Sequence, residues 1–305
     1  MARPAAKAAP QFSAGDHSER RAFGPETEPD AMRVINAYIA DWPYSKPVTV
    51  ELVAHWKTLG RRYQPEEMAL IYRQGKPTAF IHGETNKTTY QIHLLAMVPG
   101  AVADGMRLVE EAEARARAAG AEWLRGPTAS SGIFYGGYIC GQEPYHSDRG
   151  IDGTDLFVQA GFRISSPEVI LVAAAGSATG VRDIPQEYQV VEAEAAAEFQ
   201  ARSFRYAALF GGKEVATCGA RLYPRLLCSS GGPVGQIGHV ETDELHRNKG
   251  LATALTQRSV KRLSEWGAAE ILVTTNVDNL PALKAYERAG FRRRHLVMEW
   301  EKRLS

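Results

Sequence analysis

A basic segment containing glycine, in the second half of the chain, has the composition of an anion site. It runs from residue 240 to 253 and reads Val-Glu-Thr-Asp-Glu-Leu-His-Arg-Asn-Lys-Gly-Leu-Ala-Thr. A predicted strand ends there and an amphipathic helix begins, so unpaired N–H groups and the positive end of the helix dipole face the turn. Gly250 and Ala252 let an anion approach the backbone closely. Arg247 and Lys249 add the charge that suits a diphosphate. The segment is neither a P-loop nor a dinucleotide fingerprint, because both glycine patterns are absent from the chain.

A second pattern follows at residues 279–291, which read Asn-Leu-Pro-Ala-Leu-Lys-Ala-Tyr-Glu-Arg-Ala-Gly-Phe. On a helix, residues three and seven apart share a face, so Asn279, Ala282 and Tyr286 are expected to line one side. The two patterns together resemble the R/Q-x-x-G-x-G/A and N-x-x-A-x-x-x-Y-x-x-x-G-F motifs of the GNAT acyltransferase superfamily. The resemblance is strong over residues 182–305 and holds only in outline over residues 31–173.

The resemblance implies an acetyl-CoA cosubstrate, no metal, and a set of contact residues. The pantetheine arm would lie along the end of the fourth strand and beside the second motif, and the diphosphate would rest on the loop. The implied residues are Val240, Glu241, Thr242, Arg247, Asn248, Lys249, Gly250, Leu251, Ala252, Thr253, Asn279, Ala282 and Tyr286.

The resemblance also implies that Tyr286 is the general acid near the thioester sulfur. A neutral amine attacks the thioester and a thiolate leaves, so a proton donor with a pKa near or above that of the thiol is required. An unperturbed tyrosine, with a pKa of about 10, meets this requirement. General acid catalysis of this kind contributes about 10²–10⁴ in rate.

The general base is less well determined by the sequence. Many relatives carry a glutamate or histidine eleven or nine residues before the arginine of the loop motif, but here those positions are Gln236 and Gly238. His239 and Glu241 lie nearby, yet side chains alternate along a strand, and both should face away from the substrate unless a β-bulge shifts the register. We therefore rank an ordered water or no base first, then Glu241, then His239.

The elements that position these motifs occur twice along the chain. Each half has an apolar hairpin with a Gly-Lys turn, a third strand, a long helix ending in Gly-Ala, a fourth strand, a short helix ending in Ala-Gly-Phe, and a last strand. The long helices are predicted at residues 103–119 and 249–266, and the last strands at 168–173 and 295–300. The expected fold class is α/β, with two tandem GNAT-like domains, each a mostly antiparallel mixed sheet flanked by helices.

The first half departs from the motifs where chemistry would occur. Alignment of the long helices places Gly100 opposite Arg247 and Ala103 opposite Gly250. Alignment of the Ala-Gly-Phe ends places Phe157 opposite Tyr286, so the hydroxyl is lost. We expect a degenerate first domain, although glycines could still admit an anion there.

Composition sets the remaining limits. The chain has 305 residues, with 36 Lys and Arg against 35 Asp and Glu. This balance gives no reason to expect a nucleic-acid or anionic-membrane partner. Three cysteines without C-x-x-C spacing argue against a disulfide framework and for a reduced, cytoplasmic location. We predict a disordered segment at 1–30, a degenerate domain at 31–173, a linker at 174–181 and an acetyl-CoA-binding domain at 182–305.

The function predicted from the sequence is acetyl transfer from acetyl-CoA to a primary amine of a small molecule, by direct attack in a ternary complex. A non-catalytic acyl-CoA-binding regulatory protein and an acyltransferase for protein or aminoacyl substrates remain as alternatives. A basic run at 292–295 either contacts the 3′-phosphate of CoA or is a solvated entry to a strand.

Overall fold

A computed structural model of the protein describes residues 18–40, 44, 47–58, 60, 63–127, 152–177, 180–194, 202–227 and 231–304. The chain divides into two compact units. The first comprises Met1–Trp42, Pro47–Ser165 and Met298–Ser305, and the second comprises Pro43–Lys46 and Ser166–Val297.

The first unit is a mixed sheet with helices on both faces. Its elements are β1 (Ser18–Ala22), α1 (Glu28–Ile39), α2 (Val50–Trp56), β2 (Met68–Arg73), β3 (Lys76–Asn86), β4 (Thr89–Met97), α3 (Val102–Ala118), β5 (Trp123–Arg125) and α4 (Asp152–Gln159). The strand order is β1-β2-β3-β4-β5, with the end of β12 (Arg292–Arg303) next to β5. Only β4 and β5 are parallel among these neighbours in the described residues.

Two apolar layers hold this first sheet. One face carries Ile35 and Trp56 from the first two helices against Phe80 of β3. The other face packs Leu108 of α3 and Phe157 of α4 against the opposite side of the same strands. The buried stripe of α3 has the helical spacing that the sequence predicted.

The second unit repeats this plan. Its elements are most of β6 (Arg163–Ala174), then β7 (Tyr188–Glu194), β8 (Arg202–Phe210), β9 (Lys213–Leu227), β10 (Pro233–Thr242), α5 (Leu251–Glu265), β11 (Glu270–Asn276), α6 (Leu280–Arg288) and the start of β12. The strand order is β6-β11-β10-β9-β8-β7. Strands β10 and β11 are parallel, like β4 and β5.

The repetition extends to single hydrogen bonds. In the first unit the Phe162 amide donates to the Phe157 carbonyl (2.9 Å), and in the second the Phe291 amide donates to the Tyr286 carbonyl (3.1 Å). Gly120 and Gly267, which follow the long helices, both have positive φ, at 73° and 92°. These matches confirm the predicted α/β tandem architecture and give Phe157 and Tyr286 the same place in their units.

The last strands pair differently from the prediction. We expected residues 168–173 to complete the first half and residues 295–300 to complete the second. Instead Glu168–Ala174 pair with β11 of the second unit, and Glu301–Arg303 pair with β5 of the first. The compact units therefore change at Ser165 and again at Met298, not at the predicted linker 174–181. A strand's residue pattern marks its buried face but does not identify its hydrogen-bonding neighbour, which is why the sequence misled here.

The predicted disordered segment at 1–30 also needs correction where it is described. Ser18–Ala22 form β1, antiparallel to β2, and the helix α1 begins at Glu28. Residues 1–17 of that segment, like residues 178–179 of the predicted linker, lie outside the described residues.

Candidate functional site

The central feature of the second unit is a gap between two parallel strands. The ladder between β10 and β11 runs from Val234 and Glu270 to Ile237 and Val273, and ends there. Beyond that point β10 continues beside β9 as far as Thr242, and β11 continues beside β6 as far as Asn276. The separated strand ends expose backbone groups that an extended amide-containing chain can pair with.

A β-bulge sits on β10 at this gap. Gly238 pairs with Gly219 and Glu241 with Thr217, so β10 uses three steps where β9 uses two. The additional residue is accommodated at His239, whose φ is +51°. This bulge shifts the register of β10. Such a shift is the condition under which Glu241 or His239 was expected to face the substrate.

The bulge determines the face on which Glu241 lies. Arg221, Gly219 and Thr217 alternate along β9 and share one face, so their partners Gln236, Gly238 and Glu241 share that face as well. Val240, by contrast, packs against the apolar core on the α5 side together with Ile237. Glu241 thus lies on the same face as the two positions where relatives carry a base, and its side chain is exposed.

The predicted anion loop leads into the N-terminus of α5, where the cap residue is a glycine without a side chain. Gly250 is the N-cap of α5 with φ +84°, and Asn248 also has positive φ, at +63°. No side chain of the described residues caps this helix. Its first N–H groups therefore lack a capping partner there. Arg247 is exposed and donates from Nε to the Thr242 carbonyl (3.2 Å). The arrangement suits a diphosphate.

The other loop residues contribute through the backbone. Leu251 is buried in the core of the second unit, and Ala252 has no polar group on its side chain. Thr253 is buried and its hydroxyl donates to the Ala285 carbonyl of α6 (3.4 Å). A ligand on this loop would therefore meet backbone amides of these three residues.

Lys249 is held by an aromatic cluster next to the loop. Its ammonium lies 5.5 Å from the centroid of the Tyr188 ring. The Tyr188 hydroxyl is 2.9 Å from Nδ1 of His246, and the ring of Phe210 lies 4.9 Å from that of His246. These contacts position a cation beside the helix end.

Arg182 is a site residue that the sequence analysis missed. A Cβ placed on Gly250 would lie 2.7 Å from Cζ of Arg182, so this guanidinium covers the open end of α5. The Arg182 amide donates to Oε1 of Gln257 on the same helix (2.8 Å), which fixes the backbone there. Among the described residues the guanidinium has no carboxylate partner. No motif marks this arginine, because it is 65 positions away from the loop motif and approaches only through folding.

The second motif forms α6 and its cap. The Asn279 side chain accepts from the Ala282 amide (3.3 Å) and donates to Oγ1 of Thr275 (3.1 Å), so it fixes the helix start beside the end of β11. Ala282 and Tyr286 pack against the core of the second unit. Ala282 and Tyr286 therefore share a face, while Asn279 is exposed and caps the helix.

Tyr286 is buried except near its hydroxyl. The residue is 6% exposed, and among the described residues the hydroxyl has no hydrogen-bond partner. Its oxygen is not one of the enclosed, unpartnered polar atoms of the described residues, so it retains contact with solvent. Burial, with a smaller contribution from nearby Cys218, raises the pKa of Tyr286 to about 12.

The equivalent region of the first unit is filled by its own side chains. Asp104, in the first turn of α3, accepts from Nε of Arg73 (2.8 Å) and from Oγ1 of Thr78 (2.7 Å) and is buried. A Cβ on Gly105 would collide with the sulfur of Met97. An internal carboxylate and a packed methionine thus occupy the space that an external anion would need.

Two features are absent from the described residues. No group of three or more His, Cys, Asp or Glu side chains there could hold a metal ion. No helix in that part of the chain is long and apolar enough to cross a membrane.

Part of the chain, lying mostly in the second unit, matches a known protein family. Residues 177–291 match the acetyltransferase (GNAT) family. A mycothiol acetyltransferase of Catenulispora acidiphila is 35% identical over 63 residues, which are 21% of this chain and 20% of that protein. An N-alpha-acetyltransferase 30 of Schizosaccharomyces pombe is 42% identical over 57 residues, 19% of this chain and 38% of that protein. The aligned segments thus span between a fifth and two fifths of these relatives.

The fold is shared over nearly the whole length. A tandem GNAT protein from the clavulanic acid biosynthesis pathway superposes with a TM-score of 0.71 at 13% identity, covering 94% of this chain and 98% of that one. Residues 177–291 thus carry an acetyltransferase (GNAT) domain match, and the fold of nearly the whole chain is similar to that of a tandem GNAT protein.

Proposed function

We propose that the protein is an acetyl-CoA-dependent N-acetyltransferase whose second unit transfers the acetyl group to a primary amine of a small molecule. The observation that carries this proposal is the gap between β10 and β11. The N-terminus of α5, with Gly250 as its cap, follows β10, and Tyr286 lies on the adjacent α6. One end of the gap offers backbone groups for an amide-containing arm, and the helix end offers N–H groups for a diphosphate.

The residues of the second unit would divide the reaction as follows. Glu241, on the face brought forward by the bulge, removes a proton from the ammonium form of the acceptor, directly or through water. The amine nitrogen then forms a bond to the thioester carbonyl carbon and loses its surplus proton to water, while the carbon–sulfur bond breaks and the sulfur leaves with the bonding pair as a thiolate, which solvent can protonate. The attack is direct, so no acyl group is attached to the protein.

Tyr286 would stabilise the departing sulfur mainly as a hydrogen-bond donor. A phenol with a pKa of about 12 is a much weaker acid than a thiol with a pKa of about 8.5. Complete proton transfer from the tyrosine to the thiolate is therefore unfavourable unless another proton replaces it. The high pKa instead keeps the hydroxyl protonated and able to donate over the whole neutral range.

The proposal places a single CoA site in each chain, in the second unit. The first unit has Phe157 in the place of Tyr286, and Asp104 at the equivalent helix end. Its function would be structural or would concern the acceptor.

A protein or peptide amine is the second candidate acceptor. The similarity to an N-alpha-acetyltransferase favours it, whereas the similarity to mycothiol acetyltransferases favours a small molecule. A non-catalytic acyl-CoA-binding protein is the third candidate, and the positioned Tyr286 argues against it.

The test incubates the full chain with acetyl-CoA and measures thiol release against two sets of acceptors, small primary amines and short peptides with a free N-terminus. Acceptor-dependent release with the small amines, reduced strongly in Glu241→Gln but not in the surface control Glu244→Gln, supports the proposal. Release with peptides alone would move the acceptor to the protein class. Binding of CoA with no turnover on either set would refute the enzyme assignment.

A further inference from the structure

An open pocket with several arginines lies where α6 ends and β12 begins. It has a volume of about 680 Å³ and is lined by Glu287, Phe291, Arg292, Arg293 and Arg294. Three of its five lining residues are thus arginines, in the segment that directly follows the second motif.

The charges in this pocket do not cancel. Arg293 pairs with Glu287 at 2.9 Å, and this carboxylate is the only one in the lining. Arg292 and Arg294 are exposed and have no carboxylate partner among the described residues. Two such guanidinium groups, two residues apart on one strand, repel each other, and a phosphate dianion relieves that repulsion while matching their planar donor geometry.

Contacts along α5 place the pocket near the proposed diphosphate loop. Gln257 donates from Nε2 to the carbonyl of Arg288 (3.4 Å), next to the pocket residue Glu287. The same Gln257 accepts from the Arg182 amide, and the Arg182 guanidinium covers Gly250. From residue 250 to residue 257 the helix advances about 10 Å along its axis.

That separation suits one nucleotide. In CoA the 3′-phosphate and the 5′-diphosphate are attached to the same ribose, and three ribose carbons separate their oxygens. A diphosphate at Gly250 therefore holds the 3′-phosphate close to the first turns of α5, and the pocket arginines are the cations that closely follow Arg288, whose carbonyl Gln257 contacts.

We propose that the pocket formed by Arg292 and Arg294 binds the 3′-phosphate of CoA and makes the protein select CoA over its 3′-dephospho form. This inference rests on the proposed function, because it requires CoA on the loop of α5. Arg182 has a different role in this scheme, since it contacts the diphosphate that both forms of the cofactor carry.

The experiment is calorimetric titration of the full chain with CoA and with 3′-dephospho-CoA. The wild-type protein is expected to bind CoA about tenfold or more tightly than the dephospho form. The double variant Arg292→Ala/Arg294→Ala should lose this preference, with weaker CoA binding and unchanged binding of 3′-dephospho-CoA. Arg182→Ala should weaken both ligands by similar factors.

Two controls separate local from general effects. The variant Arg202→Ala/Arg205→Ala removes the same charge from β8 and is expected to keep the preference. Arg292→Lys/Arg294→Lys keeps the charge without the fork geometry and should recover part of it. Thermal unfolding of each variant establishes that the fold is intact.

The outcomes distinguish this inference from the proposed function. Equal and tight binding of both ligands by the wild-type protein would overturn the pocket assignment and leave the proposed function standing. Equal weakening of both ligands in the double variant would overturn it as well. Failure of the wild-type protein to bind either ligand would overturn the proposed function, and the pocket assignment with it.

Discussion

Replacement of Tyr286 by phenylalanine should lower the catalytic rate while leaving the stability of the second unit nearly unchanged. The ring is buried and packs near Phe291, with ring centroids 6.1 Å apart, so Phe keeps the apolar contacts. The hydroxyl has no hydrogen-bond partner among the described residues, so its removal breaks no bond there. The free energy of unfolding should change by less than about 1 kcal/mol.

Catalysis should respond very differently. Loss of the only proposed hydrogen-bond donor to the departing sulfur should lower kcat by about 10²–10³. Each factor of ten corresponds to about 1.36 kcal/mol in the activation barrier, so the expected cost is about 3–4 kcal/mol. The affinity for CoA should change little, because the diphosphate contacts lie on α5.

The assay is thiol release with the best acceptor at saturating acetyl-CoA, together with urea unfolding and CoA titration of the same preparations. Tyr63→Phe, in the first unit, is the control for loss of a hydroxyl from a partly buried tyrosine. The pKa of Tyr286 is raised to about 12, so this group stays protonated at neutral and mildly alkaline pH. Loss of wild-type activity between pH 8 and pH 10 would therefore come from another group. A Tyr286→Phe protein that folds, binds CoA and retains more than half of kcat would refute the assignment of Tyr286.

Three further predictions follow from the two units. Gly250→Asp should weaken CoA binding at least tenfold, because Gly250 has φ +84° and the new carboxylate would repel a diphosphate. The control Ala103→Asp, at the equivalent first turn of α3, should leave CoA titrations unchanged. Asp104→Ala should lower the free energy of unfolding, measured in urea, by about 3–5 kcal/mol, because Arg73 loses its carboxylate partner. A decrease below about 1 kcal/mol would contradict a stabilising role for this buried ion pair. Burial, as the largest cause, raises the pKa values of Tyr72, Tyr206 and Tyr286 to about 12. The unfolded chain therefore loses these protons first, so stability should fall as the pH rises above 10, and an unfolding midpoint that stays constant from pH 9 to pH 11.5 would contradict this.

The sequence by itself determined the repeated architecture and the two motifs. The apolar spacing of the long helices predicted α3 and α5 to within two residues at each end, and their Gly-Ala ends indicated the positive φ of Gly120 and Gly267. The motif around Gly250 predicted a helix N-terminus, which the structure has. These are local properties, since helix caps, glycine conformations and amphipathic faces depend on residues close together in the chain.

Tertiary structure decided how these parts combine. The bulge at His239 placed Glu241 on the face that the alternation of a regular strand would have denied it. Folding also brought Arg182 over Gly250 and filled the first unit's helix end with Asp104. Folding also paired residues 168–174 with β11 of the second unit and residues 301–303 with β5 of the first, which is the reverse of the predicted arrangement. Each of these outcomes depends on hydrogen-bond partners and side-chain approaches between residues far apart in the chain, and a strand's own sequence encodes its faces without encoding its neighbours.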